Sequence, residues 1–188
     1  MPSSRPDHLP SMAYMVNNLK PKSILDLGIG SGFKGAFFRE YTDVWDHGVI
    51  DPSDGIYLVG IEAFEEYYNP LWKQYSEVII GDIRKLDELT YGKYYPSKFR
   101  EASFDIVHCG DVIEHLTKEE GLLLVENMKR IALKAAIIVT PVKVLKQGTV
   151  FGNPLERHVS EWNPNDFPGF SAAAWGNVAM YTWRRPGT

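Results

Sequence analysis

Cysteine is almost absent: Cys109 is the single one in 188 residues, so no disulfide forms within the chain, and disulfide-framed secreted scaffolds are disfavoured. Long apolar runs are missing too. No stretch approaches the roughly 20 residues of a membrane-spanning helix, and the N-terminal segment lacks the continuous apolar core of a secretory leader. Nor is there an excess of one charge. Twenty Lys and Arg stand against 24 Asp and Glu, a net charge of -4, which gives no field for general nucleic-acid binding. Repeats and low-complexity tracts are absent as well. The expectation left standing is a soluble, cytoplasmic chain, and 188 residues with 44% hydrophobic content are enough for one domain around a real core.

What is present is concentrated in Ser23 to Gly35, SILDLGIGSGFKG. Ile24, Leu25 and Leu27 read as a short buried parallel strand, which Asp26 interrupts near its C-terminal end. Gly28, Gly30 and Gly32 follow at alternate positions, and Phe33, Ala36, Phe37 and Phe38 open a helix. Strand, glycine turn and helix start make a nucleotide-binding arrangement, because glycine admits close backbone approach and the helix end offers free N–H groups. Gly30 to Gly35 also fits the G-x-G-x-x-G of dinucleotide sites. The strand, however, ends at Gly28, and counting from there puts Phe33 at the third glycine position, where its ring would block a pyrophosphate. A carboxylate at the strand end followed by alternating glycines suits a ligand with a cationic amino-acid moiety.

Further strands are predicted at Tyr57–Ile61, Val78–Ile80, Phe104–Cys109 and Ala135–Val139. Between them the spacing predicts a helix over Ser11–Leu19 with Ser11 as N-cap, a second from the glycine turn to about Tyr41, and helical spacing over Ala63–Tyr75 broken at Asn69-Pro70. A T-x-x-E capping box, Thr117 to Glu120, opens the clearest helix. Phe170–Trp175 and Val178–Arg184 flank Gly176-Asn177 and read as a hairpin. Strands alternating with helices imply an α/β fold with a doubly wound, mostly parallel sheet, to which the hairpin adds an antiparallel edge. Residues 1–188 are expected to form a single domain: an arm and helix over 1–20, an inserted loop over 42–56, and a lid or substrate loop over 142–162.

Ligands in open α/β sheets sit beyond the strand C-terminal ends. Four predicted strands end there in an acid or an acid-containing turn: Asp26, Glu62, Asp82 and Asp111. Four carboxylates on one edge repel one another unless they serve a ligand. With DLGIGSG, this series resembles the class I S-adenosylmethionine-dependent methyltransferases, whose first motif is D/E-x-G-x-G-x-G. FDIVHCGDVIEHLTKEEGLLLVENMKRIA is especially similar to the type-11-like members, and IEAFEEYYNPLWKQY and FGNPLERHVSEWNPNDF to a bacterial subgroup of them. The resemblance spans roughly Leu19 to Arg184. It implies a seven-stranded Rossmann-like sheet, here with a trimmed sixth-strand region because the last crossover is short.

The resemblance also implies roles. Asp26, Gly28, Gly30 and Gly32 would cradle S-adenosyl-L-methionine, with S-adenosyl-L-homocysteine as product. Glu62 would take both ribose hydroxyls, with Ala63 beside it; Asp51 competes for that role but sits before Pro52 in the turn-rich insert. Asp82 and Ile83 match the adenine-binding G-D-[VIA] pattern, and Gly110 and Asp111 the fourth motif, near the ligand's amino group. Where the acceptor must lose a proton, His115 and His158 are the candidate bases. His108 reads as buried structure, and His8 and His47 as solvated. Tyr14, Phe33, Trp45, Tyr67, Phe151 and Trp162 fall in segments that could cover the site; Phe33 and Trp162 read rather as core. Asp111, Glu114, His115 and the later His158 resemble the divalent-metal site of small-RNA 2′-O-methyltransferases, although E-H at this place also occurs where no metal binds. The acceptor expected is a small molecule, O- or N-methylated, with neither nucleic acid nor membrane as partner. The rivals are a nicotinamide-dependent oxidoreductase and a non-catalytic S-adenosylmethionine-binding protein.

Overall fold

The computed structural model describes residues 6–45, 48, 51–92, 97–143 and 146–187. The apolar run of the opening stretch forms β1 (Ser23–Leu27), and its glycine turn feeds α2 (Phe33–Arg39), which continues into a π-helical turn, Glu40–Val44. Before them lies α1 (Leu9–Leu19), and after them β2 (Tyr57–Glu62), β3 (Glu77–Ile80) and the short strands β4 (Thr90–Tyr91) and β5 (Ser97–Lys98). Then come β6 (Phe104–Gly110), α3 (Lys118–Ile131), β7 (Ala132–Pro141), β8 (Ser171–Trp175) and β9 (Val178–Arg184).

Seven strands make one sheet in the order β3-β2-β1-β6-β7-β9-β8, and β4 with β5 makes a separate antiparallel pair. The first five are parallel, and β9 runs antiparallel to both β7 and β8. This is the expected Rossmann-like α/β fold with its C-terminal hairpin. Chain order reverses between β1 and β6, so a crevice opens there beyond the strand ends.

Both faces of the central strands are covered, which is why those strands read as near-continuous apolar runs. Leu25, Leu27, Val107 and Cys109 pack on Leu124, Val125, Met128 and Ile131 of α3. On the other face Ile24, Leu58 and Ile106 meet Met12 and Val16 of α1 and Phe37 and Phe38 of α2. Asp26 lies on this second face, in a cross-strand row with Gly60 and His108.

The absence of a side chain at Gly60 admits the ring of Tyr75, whose Cδ1 would stand 2.9 Å from a Cβ there. Gly35 clears the same ring from the α2 side, where a Cβ would meet its Cε2 at 2.4 Å. Tyr75 thus reaches across β2 and donates a 2.6 Å hydrogen bond to Asp26 Oδ2.

Several local expectations need correcting. α1 begins at Leu9 with Pro10 in its first turn, where a missing N–H costs nothing, so Ser11 lies inside the helix and caps nothing. Residues 63–75 form no α-helix. Asn69-Pro70 divides them into two 3-10 turns, Glu65–Tyr67 and Pro70–Gln74, the second capped by the Asn69 side chain. The 42–56 insert is tied at both ends through a buried 2.6 Å Arg39–Asp43 ion pair: Asp43 accepts from Ile56 N, and Arg39 Nε donates to the Gln74 carbonyl. Residues 46, 47, 49 and 50 of the insert, His47 among them, lie outside the described residues, as do 144 and 145 of the 142–162 loop. Among the described residues, β7 and β8 are joined without an α-helix, through the 3-10 turns Pro154–Glu156 and Pro164–Asp166. The Thr117 to Glu120 capping box is formed reciprocally.

Gly60→Val should overpack this row, since its added atoms meet Tyr75 and Ile29. The expected loss is about 1–3 kcal/mol, read as a melting temperature lower by several degrees. A wild-type melting temperature would mean that Tyr75 has room to move.

Candidate active site

The crevice at the reversal point holds a cavity of about 320 Å³. Asp26, Gly28, Gly30, Glu62, Ala63 and Asp82 line one side of it. Ile83, Gly110, Asp111, His115 and His158 line it too, as do Glu114 and Lys34. Gly32 does not face the cavity; a Cβ there would meet Trp72 Cδ1 at 2.8 Å, so its role is to let the 70–74 turn pack against the loop.

The loop's three glycines all have positive φ, +72° at Gly28, +51° at Gly30 and +79° at Gly32, a region in which side chains are strained. Its shape is fixed from outside. Gly30 N–H donates to Glu62 Oε2 at 2.8 Å, Trp72 Nε1 donates to the Gly30 carbonyl at 2.8 Å, and Asn69 Nδ2 donates to the Ser31 carbonyl at 2.8 Å. The segment around Trp72, a 3-10 turn rather than the α-helix its spacing suggests, therefore props the loop with side chains.

The four strand-end acids differ in how they are satisfied. Asp26 is buried between Tyr75 OH and His108 Nδ1, which donates to Oδ1 at 2.7 Å. Glu62 accepts from Gly30 N and, through Oε1, from Phe64 N at 3.0 Å; burial raises its pKa against these bonds. Asp82 accepts from the Arg84 N–H and guanidinium, and despite partial burial these contacts hold its pKa below the usual value. Asp111 occupies the left-handed region at φ +53°, an uncommon backbone for a residue with a side chain. Protein partners therefore relieve much of the repulsion that the sequence pattern alone assigns to a ligand.

The wall across from the glycine loop is built from the 113–115 turn and the 147–158 segment. Glu114 is buried and accepts from Thr140 Oγ1 at 3.0 Å, and its backbone carbonyl accepts from Val159 N and Ser160 N. Burial, then the nearby Asp111, push its pKa up to about 8. His115 Nδ1 donates to the Arg157 carbonyl at 3.2 Å, which leaves Nε2 as the basic nitrogen, and burial lowers its pKa. The His115 and His158 rings lie 4.9 Å apart, and one ligand atom from each of Glu114, His115 and His158 falls within 4.8 Å of the others. Asp111 is not in that cluster. The segment is tethered to the 65–67 turn by Tyr67 OH, which donates to Glu156 Oε1 at 2.8 Å.

Sequence reasoning misses three residues. Lys34 stands inside the opening stretch but is buried, its Nζ donating to His8 Nε2 at 3.1 Å; burial lowers its pKa. His8, expected to be solvated, is fully buried against it. His108 is buried as expected, yet it also faces the cavity, which only the pairing of the two strands in register reveals. Among the aromatics, Tyr67 and Phe33 line the cavity, and Phe33 is half-exposed rather than core. Trp162 is core, stacked on Phe167, while Tyr14, Trp45 and Phe151 are exposed and off the cavity lining. Asp51 is exposed and lies outside this cavity.

No protein-family model matches the sequence, and no curated protein matches it. Solved structures do match by fold. The PH0226 protein of Pyrococcus horikoshii OT3 superposes with a TM-score of 0.62 at 15% identity, over 96% of this chain and 89% of that one. Magnesium protoporphyrin IX methyltransferase of Synechocystis PCC 6803, solved with bound S-adenosylhomocysteine, gives 0.60 at 15% identity over 94% and 81%. A SAM-dependent methyltransferase from Aquifex aeolicus gives 0.55 at 17% identity over 96% and 93%. The fold is that of class I methyltransferases.

Glu114 makes stability pH-dependent. Its folded pKa, about 8, lies above its ordinary value of 4.5, so the folded state holds a proton that the unfolded state releases. This contribution is flat below about pH 4.5, falls as pH rises towards 8, and is flat again above. In chelator-containing buffer, Glu114→Gln should flatten the fall in melting temperature between pH 5 and 8. An identical slope in wild type and variant would contradict the burial of this proton.

Proposed function

We propose that the protein is a cytoplasmic S-adenosylmethionine-dependent methyltransferase acting on a small molecule at oxygen or nitrogen. The observation that carries this reading is the convergence of Glu62 and the glycine loop at the chain-reversal point, with Asp82 and Ile83 on the next strand end. Each Glu62 oxygen already accepts one backbone N–H and has a second lone pair for a ribose hydroxyl. Ala63 and Ile83 offer flat apolar contact for a base, and Asp82 can accept from its exocyclic amine once Arg84 swings away. Phe33 faces the cavity where a dinucleotide site needs glycine, which disfavours nicotinamide binding. The 320 Å³ cavity and the 147–158 segment that lines part of it suit a small acceptor. The quoted sequence segments point within this fold to the type-11-like group.

S-adenosylmethionine supplies an already activated methyl group, so the protein has to align the reactants and, for a hydroxyl, remove a proton. His115 suits that second role. Its Nδ1 is committed to Arg157, its Nε2 can accept, and burial keeps the ring neutral near pH 7. His158, with its ring beside it, is the second candidate base.

One observation favours a second reading of the same wall. The clustered Glu114, His115 and His158 offer one carboxylate and two imidazoles, a donor set that suits a divalent metal such as manganese. A metal there would lower the pKa of an acceptor hydroxyl and fix its oxygen.

Calorimetry should give binding of S-adenosylmethionine and S-adenosylhomocysteine but not of NAD; the reverse would establish the oxidoreductase rival. Glu62→Ala should weaken S-adenosylhomocysteine roughly tenfold to a hundredfold, from lost bonds of about 1.5–3 kcal/mol. Unchanged affinity would sink the ribose assignment. A methyl-release screen over a metabolite panel tests for turnover and separates an enzyme from a binding protein. Activity lost on EDTA treatment and regained with manganese would support the metal; indifference to EDTA, with activity lost in His158→Ala, would leave His158 as a base or substrate contact.

A further inference from the structure

Among the described residues, His108 is a buried polar group whose bonding the protein leaves unfinished. Its side chain is 1% exposed, Nδ1 is committed to Asp26, and Nε2 has no hydrogen-bond partner. The ring is held edge-on to Phe38, with centroids 5.3 Å apart, so it cannot turn to find another partner without disturbing the core. Both Asp26 oxygens act as acceptors, one from Tyr75 and one from His108, so the imidazole carries a proton on Nδ1, and in the neutral ring Nε2 is then the acceptor. That edge of the ring lies beneath Gly110, where a Cβ would stand 3.1 Å from Nε2 and 2.8 Å from Cε1. Gly110 places no side-chain atom over the nitrogen, and His108, Gly110 and Asp26 all line the cavity. A buried acceptor left unsatisfied is destabilising, so a ligand donor placed there recovers what the folded protein has lost.

Resting on the cofactor reading above, we propose that His108 Nε2 accepts a hydrogen bond from the α-ammonium of the ligand's amino-acid end, and that Asp26 acts on that ammonium through the imidazole. The chemistry fits on three counts. The group required is a donor, because Nε2 is an acceptor. A cation is favoured, because the carboxylate stands directly behind the ring. The carboxylate of the same amino-acid end has Lys34 on the cavity lining as a candidate partner, its Nζ also donating to His8. Asp26, placed by its strand-end position to hold the amino-acid end directly, has its oxygens engaged by Tyr75 and His108 instead, and the histidine extends its reach.

The test compares two ligands with the same nucleoside and thioether: S-adenosylhomocysteine, which has the amino-acid end, and 5′-methylthioadenosine, which lacks it. In His108→Leu the affinity for S-adenosylhomocysteine should fall about tenfold to a hundredfold while that for 5′-methylthioadenosine holds. Equal losses for both, or no loss for either, would overturn the assignment. The intact protein gives an independent reading should that variant fail to fold. The Nε2 resonance of 15N-labelled His108 should shift with S-adenosylhomocysteine and stay in place with 5′-methylthioadenosine; equal responses would again overturn it. Wild-type protein that binds neither ligand would fail the cofactor reading itself, and this assignment with it. Wild-type binding of both with no preference in His108→Leu would remove His108 alone.

Discussion

The burial of Asp26 is the constraint on which the site is built. A carboxylate inside a close-packed sheet is tolerated only when its oxygens are satisfied, and here each takes one short hydrogen bond. Supplying them shapes three other parts of the chain. Gly60 and Gly35 carry no side chain, so Tyr75 can reach across β2; β6 carries a histidine in register; and the 70–74 turn that leads into Tyr75 also supplies Trp72 to the glycine loop. One buried charge thereby links strand, turn and loop into a single rigid floor. Rigidity is what a site for methyl transfer needs, since the reaction depends on alignment.

The glycine loop is held by partners that come from far along the chain, Glu62, Asn69 and Trp72. The loop therefore meets a ligand in a shape that is already set. The opposite wall is built differently. It hangs from Thr140, Arg157 and the Tyr67–Glu156 bond, and two of its groups, Glu114 and His115, also carry shifted ionisation. A floor that is preorganised and a wall whose protonation can respond are suited to the two halves of the reaction proposed, one partner always the same and the other to be activated.

The five parallel strands and the hairpin are legible in the sequence because they rest on patterns that are local: apolar runs, Gly-Asn-type turns, a capping box. The segment over 63–75 is not. Its apolar spacing is helical, but Asn69-Pro70 and the demand that Trp72 and Tyr75 both point at the glycine loop and β1 impose 3-10 turns. Tertiary packing overrides the local period there. The placement of the cofactor-side residues can be anticipated from strand ends, since topology brings those ends together. The pairing of Asp26 with His108 lies beyond single-strand reading, because it depends on register between strands separated by 82 positions. Lys34 is hidden for another reason. A lysine in a helix start reads as solvent-facing, and only the arm bearing His8 encloses it.

The antiparallel insertion of β9 between β7 and β8 bears on how the chain acquires its site during synthesis. β1, β2, β3, β6 and β7 leave the ribosome before either strand of the hairpin and can pair as a parallel sheet as they appear. The rim of the cavity is completed later: Asn177, in the hairpin turn, accepts from Lys143 N through Oδ1 and donates from Nδ2 to the Lys143 carbonyl, and it lines the cavity with Val178. A nascent chain stalled before residue 177 thus has its glycine loop and the 113–115 and 147–158 segments but not this last part of the rim.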